Sequence, residues 1–273
     1  LIVHLTIYAI FFQMINKNKI KRVRSLSQKK YRNRENLFIG EGNKLTREFL
    51  TSGWGVRTLI CTESFYQSVK EILPQSLEYL PADQDEIRQY SLLKSPQQAM
   101  VLCEIPKRDF SFEQVTSGLT LCLDGIQDPG NLGTILRIAD WFGITVICAS
   151  PDTADVFNPK AVQASMGSIL RVKVFYTGLE ALIKHAVQEK IPTFGAFLSG
   201  TNMYTTKFPE TALVVLGNEG SGISPNLESL IGNRLFIPPD PNRRNTSESL
   251  NVAAATAIIC SEFRREKLQA YSK

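Results

Sequence analysis

Three polar clusters follow apolar, strand-like runs in the second half of this 273-residue chain. After LTLCLD (119–124) comes GIQDPGNLGTILR, in which Asp128-Pro129-Gly130 makes a tight turn. There Asn131 can cap the following helix, Gly133 lets a backbone approach closely, and Arg137 projects from the first turns. After ALVVLG (212–217) comes GNEGSGIS, whose glycines can bare backbone N–H groups around Glu219 and admit a ligand. After RLFIP (234–238) comes PDPNRRNT, and then Ser249 and Asn251 open the last helical stretch. The groups on offer are amide, carboxylate, hydroxyl and guanidinium. His4 and His185 are the only histidines, and the five cysteines (61, 103, 122, 148, 260) form no CxxC pair. Histidine-based catalysis, a disulfide framework and a cysteine zinc site are therefore set aside, no metal is expected, and a reducing compartment such as the cytoplasm is.

Each cluster also has an ordinary reading. Asn131 and Ser249 could be plain helix caps, and Arg137 could pair with Asp140 or Asp124. Glycine-rich turns after strands are common in α/β proteins. GNEGSGIS matches neither the GxGxxG fingerprint nor a Walker loop, which disfavours a rival NAD- or nucleotide-dependent enzyme. The weight lies in the combination of polar groups at three strand ends of one sheet.

That sheet follows from the elements. TVICAS (145–150), RVKVFY (171–176) and PTFGAFL (192–198) join the three runs above as continuous apolar strands. LGTILRIADWFG, LEALIKHAVQEK and SLNVAAATAIICSEFRREKLQ have helical spacing between or after them. Alternation of this kind predicts an α/β fold with a parallel sheet covered on both faces, binding ligands at the carboxyl ends of its strands. Residues 17–106 read as a separate, smaller α/β domain with strands at 37–42, 56–62, 77–81 and 99–105, and 107–118 reads as a linker to the domain at 119–273.

Charge is unevenly placed. Residues 17–34 hold nine basic side chains and no acidic one, in a chain whose net charge is +5, so everything else sums to −4. This suggests a polyanion met locally by Lys21, Arg22, Arg24, Lys29, Lys30, Arg32 and Arg34; the alternative is a solvated, frayed terminus. Residues 1–16 are expected to be a non-native or disordered extension. LIVHLTIYAIFFQMI is too short to span a bilayer, its positive charges follow rather than precede the apolar run, and Met14 stands just before the basic run. On this reading residues 1–13 lie upstream of the true start and no membrane is involved.

At the three clusters the chain resembles the SpoU, or TrmH-like, branch of the SPOUT RNA methyltransferases. Asn131, Gly133 and Arg137 meet its first motif, LGNEGSGI its second, and Ile237-Pro238 with Ser249-Leu250-Asn251-Val252 its third. The resemblance covers 119 to about 270, and the amino-terminal half is similar to the family's ribosomal-protein-like RNA-binding domain. It departs in the third motif, where ten residues, Pro239 to Glu248, intervene and include Arg243 and Arg244 but no glycine. Those arginines are expected to face RNA.

The resemblance implies a trefoil knot, which sequence rules alone would not suggest. It implies S-adenosyl-L-methionine (AdoMet) held by Leu216, Gly217, Gly220, Ile237, Leu250, Ser199 and Gly200, with Ile237 and Leu250 sandwiching the adenine and Gly217 admitting the ligand. It implies methyl transfer to a ribose 2′-OH of structured RNA, rRNA rather than tRNA, by a homodimer joined through the knotted domain. Arg137 would act on the hydroxyl, with Asn131, Glu219, Ser249 and Asn251 positioning the reactants. A knotted RNA-binding protein without catalysis is the other reading, disfavoured by the presence of these five residues.

Overall fold

The computed structural model describes residues 17–240, 242 and 248–270, with side chains to 265. The expected extension at 1–16 and the arginines 243 and 244 lie outside the described residues. The chain divides into two compact units, residues 1–106 with Phe157–Gln163 and residues 107–156 with 164–273.

The first unit begins with a helix over 17–25 (α1) and a second, α2 (Lys29–Glu35). Next come β1 (Leu37–Glu41), α3 (Asn43–Thr51), β2 (Val56–Cys61), α4 (Glu63–Gln67), β3 (Glu78–Pro81), α5 (Gln84–Tyr90) and β4 (Ala99–Glu104). All four expected strands form, in the order β1-β4-β2-β3, with β4 antiparallel to both neighbours and β3 parallel to β2. The basic run is not a frayed terminus. Val23 and Leu26 are buried in the core with Ile39, Ile60, Ile87 and Met100, so the run is an amphipathic element docked on the sheet. Arg24 donates to the carbonyls of Gln89 and Ser91, both at 3.1 Å. The buried Glu41 accepts from the Ser91 hydroxyl and the Leu92 N–H, and its burial pushes its carboxyl above the usual range. Segment 89–92 is thus gripped from two elements.

The second unit contains β5 (Leu119–Leu123), α6 (Pro129–Trp141), β6 (Val146–Ala149), the end of α7 (Pro159–Ser165), whose residues up to Gln163 belong to the first unit, β7 (Lys173–Tyr176), α8 (Leu179–Gln188) and β8 (Thr193–Phe197). It continues with β9 (Thr201–Asn202), β10 (Ala212–Leu216), α9 (Pro225–Glu228), β11 (Asn233–Phe236) and α10 (Val252–Ala270). Its seven strands lie in the order β7-β6-β5-β10-β8-β11-β9, every pair parallel. The expected parallel sheet is present; the two-residue β9 was not anticipated. Strands β5 and β10 are buried at every residue, as a sheet covered on both faces requires. The chain runs outward through β6 and β7, crosses to β8, then returns to insert β10 beside β5. Residues 107–118, read as a linker, pack on this unit: Val115 is fully buried and Phe110 lies with it on the core. Among the described residues no helix is long and apolar enough to cross a membrane.

Candidate active site

The loop after β5 begins at Asp124, whose N–H donates to the Leu216 carbonyl at 2.9 Å and whose Oδ2 accepts from the Ser224 N–H at 2.7 Å. Those bonds tie the end of β5 to both ends of the loop after β10. Gly125 turns the chain at φ +68°, where a side chain would be strained. The cap of α6 is Asp128, whose side chain accepts from the Asn131 N–H at 2.9 Å, with Pro129 in the first turn. This corrects the reading of Asn131 as a cap: it sits inside the first turn, and its amide is available to other loops.

The amide uses that freedom. Asn131 Nδ2 donates to Glu219 Oε1 at 2.8 Å, and Asn131 Oδ1 accepts from Asn251 Nδ2 at 3.1 Å. Asn251 Oδ1 in turn accepts from the Ala253 and Ala254 N–H groups at 2.9 and 3.3 Å, capping α10. Asn251, not Ser249, is the cap of that helix. Since Asn251 must turn its oxygen to the helix N–H groups, its nitrogen faces Asn131, whose own nitrogen then faces the carboxylate. One orientation of both amides satisfies every partner. Three loops far apart in sequence are joined in a single polarised chain running from the α10 N-terminus to Glu219.

The loop after β10 departs from expectation. Asn218 and Gly222 exchange backbone hydrogen bonds at 2.9 and 3.0 Å, while Gly220 and Ser221 donate to Asn218 Oδ1 at 2.8 and 3.1 Å. The N–H groups of Asn218, Gly220, Ser221 and Gly222 are therefore spent inside the loop. A Cβ on Gly217 would stand 2.2 Å from the Gly222 carbonyl carbon, so glycine there is required by the loop's own backbone. The Leu216 side chain is buried in the sheet.

The structure does not bond Arg137 to the chain of Glu219, Asn131 and Asn251. Arg137 lies exposed on α6 and makes no ion pair among the described residues. The suggested partners are engaged elsewhere: Asp140 holds Arg171 (2.8 Å) and the Ser168 hydroxyl (2.8 Å), and Asp124 holds Ser224. Ser249 is exposed, as are Ser199, Gly200 and Gly220. Gly200 is pressed against β11, where a Cβ would come within 2.6 Å of the Arg234 carbonyl oxygen.

Apolar side chains stand uncovered beside these loops. Leu198 is 71% and Leu250 48% exposed, and Ile237 is half-buried. Together with a glycine loop in which four N–H groups are already satisfied, this donor set suits a cofactor without phosphates, presenting a flat apolar base. AdoMet has that chemistry; a dinucleotide does not. Residues around Leu198, Gly220, Ile237 and Leu250 could hold it.

In the first unit the seven basic candidates separate. Arg32 is 1% exposed and donates to the carbonyls of Leu26 and Ser27 at 2.8 and 2.9 Å, so it is a structural residue and not a surface contact. Arg24 is anchored as described. Arg22 and Arg34 both pair with Glu35 at 2.9 Å and hold its carboxyl below the usual range. Lys21, Lys29 and Lys30 are exposed, and Lys30 Nζ lies 4.8 Å from the centre of the Tyr31 ring.

Residues 118–261 match the model of the SpoU rRNA Methylase family, and residues 17–101 match an MRM3-like substrate binding domain. A 23S rRNA (guanosine-2′-O)-methyltransferase, RlmP of Bacillus subtilis, is 28% identical over 90% of this chain and 96% of its own. A TrmH-family structure from Porphyromonas gingivalis superposes with a TM-score of 0.82 at 42% identity, covering 91% of this chain and 98% of that one. An AdoMet-bound rRNA methyltransferase from Sinorhizobium meliloti gives 0.79 at 28% identity, covering 90% and 94%. With its second unit matched throughout the sheet and the three site loops, the chain belongs to the SpoU rRNA methylase family.

Proposed function

We propose that this protein transfers a methyl group from AdoMet to a ribose 2′-OH of rRNA. The observation that carries the reading is the hydrogen-bond chain Glu219–Asn131–Asn251, which fixes three strand-end loops next to the helix bearing Arg137. AdoMet, when bound, supplies an electrophilic methyl group. The chain's own residues must then bring up an alcohol oxygen, which is a poor nucleophile until its proton begins to leave. A guanidinium stays protonated at neutral pH, so Arg137 does not act as a base. Its role here is to clamp the neighbouring phosphate and stabilise negative charge developing on the oxygen. Asn131, Glu219, Ser249 and Asn251 orient the ribose and the cofactor. The requirement for a 2′-OH selects RNA over DNA.

Three further assignments belong to this reading. Residues 17–106 form the substrate-binding domain and 119–273 the methyltransferase domain, threaded as a trefoil knot. Two copies associate through the second unit, whose α6 leaves Trp141 84% exposed. The protein works in a reducing compartment, the cytoplasm: its five cysteines are free and buried, and burial pushes the Cys148 and Cys260 thiols up to about 12.

The test is incubation of the protein with methyl-labelled AdoMet and rRNA lacking its native methyl groups. Label should appear in alkali-resistant dinucleotides, the mark of a 2′-O-methylated ribose. AdoMet binding without any transfer to RNA would favour the knotted RNA-binding protein, and binding of NAD in place of AdoMet would favour the dinucleotide enzyme.

RNA affinity should reside in the lysines left exposed on α1 and α2. Replacing Lys21, Lys29 and Lys30 by Gln is expected to reduce the slope of log affinity against log salt by about two to three, since each phosphate contact contributes roughly 0.7–0.9. AdoMet affinity should not change. Arg32→Ala, by contrast, is expected to lower the melting temperature. A triple variant with the wild-type salt slope would remove these lysines from the RNA surface.

A further inference from the structure

Resting on the reading above, we propose that Asn218 is a positioning residue for methyl transfer: its side-chain amide bolts the loop after β10 to the loop after β5 and thereby aims Glu219 at Asn131. Both ends of the amide are engaged. Oδ1 accepts from Gly220 and Ser221, closing the turn that carries Glu219, and Nδ2 donates to the Gly125 carbonyl at 2.7 Å. Glu219 lies between the two halves of this clamp, so the turn decides where its backbone stands and whether its carboxylate meets Asn131 Nδ2 at 2.8 Å. Three other ties join the same strand ends: the Asp124 side chain to the Ser224 N–H, the Asp124 N–H to the Leu216 carbonyl, and the carboxylate contact itself. The first holds the far end of the loop. The second holds the end of β10 before the turn, and beyond it the Asn218 side chain joins the turn itself to Gly125, where Gly217 folds tightly on Gly222.

The geometry asks for a side chain that accepts twice on one side and donates on the other. Aspartate keeps the two acceptor bonds but turns a carboxylate oxygen towards the Gly125 carbonyl. Serine keeps an acceptor and brings no charge. Neither touches the reacting atoms, so any loss of rate must travel through the position of Glu219.

Asn218→Asp is expected to lower kcat about tenfold at pH 8 through misplacement of the site, with the AdoMet dissociation constant within about twofold of wild type. The ratio of variant to wild-type kcat should rise as pH falls, because a protonated carboxyl again donates to the Gly125 carbonyl. The charged neighbours are acidic: Glu219 adjoins it in the chain, Asp124 begins the facing loop, and Asp152 Oδ2 lies 3.2 Å from where a Cβ on Gly125 would stand. All three move that recovery to higher pH. Asn218→Ser should show a smaller, pH-independent loss in kcat, again with AdoMet binding kept; this variant carries the test should the aspartate protein fail to fold. Wild-type kcat in the serine variant, or losses of kcat and AdoMet affinity in equal proportion, would overturn the assignment. An inactive wild-type protein would instead overturn the functional reading on which it rests.

Discussion

An Arg137→Ala protein is expected to bind AdoMet as wild type does and to lose methyl transfer by about 10³-fold, the scale seen when one preorganised donor to a developing anion is removed. The helix beneath Arg137 is held firmly. Leu132, Ile135, Leu136 and Ala139 are fully buried, Asp140 locks the end of α6 to Arg171 and Ser168, and Arg264 donates to the Phe142 carbonyl at 3.1 Å. Such a platform presents a long side chain without motion of the backbone. The side chain itself is exposed and engages no carboxylate among the described residues, so its removal leaves no buried charge and opens no cavity. Stability should therefore stay within about 0.5 kcal/mol of wild type, as for ordinary surface substitutions. A large kinetic loss with unchanged folding separates a catalytic residue from a structural one. Arg137→Lys, which keeps the charge but not the planar fork, should recover only part of the rate. Turnover at the wild-type rate in the alanine variant would end the assignment of Arg137.

Much of the fold was legible because its strands are apolar throughout and its helices are periodic. The four strands of the first unit and six of the seven in the second fall where runs of Val, Ile and Leu predict them. Strand order was not legible: nothing local states that β10 returns between β5 and β8. The site was read at the level of loops and missed at the level of bonds. Asp128 and Asn131 are both able caps, and the proline after Asp128 is the signal that decides between them, since proline favours the first helical position. Asn218 precedes a glycine by two residues, the pattern of an asparagine turned back on its own backbone, and that clue was available. The links from Asn131 to Glu219 and Asn251 span 88 and 120 residues, and no local rule reaches so far. In the basic run, Arg32 shows why charge counts overstate a surface. An arginine can be buried when backbone carbonyls accept its donors.

Asn131→Asp should be the most informative single-atom exchange in the site. The substituted side chain has the same shape and still accepts from Asn251 Nδ2. It replaces the donor at 2.8 Å from Glu219 Oε1 with a carboxylate oxygen, so two anions meet where one hydrogen bond stood. They must either separate or share a proton. Separation shifts the loop after β10 relative to α6, and a displacement near 1 Å can cost about 100-fold in rate. We expect a loss of that size in kcat, with a smaller effect on AdoMet affinity. The fold should survive, because an acidic residue in the first turn of α6 is favoured by the helix dipole. Adding Glu219→Gln returns a donor to the pair in reversed sense, with the introduced amide donating to the introduced carboxylate. The double variant should regain about tenfold over Asn131→Asp alone, although Glu219→Gln in the wild-type background is itself impaired. Such non-additivity is the signature of residues that act as a pair. Strictly additive losses would mean that Asn131 and Glu219 contribute separately, and that the chain joining the three loops is a feature of folding rather than of catalysis.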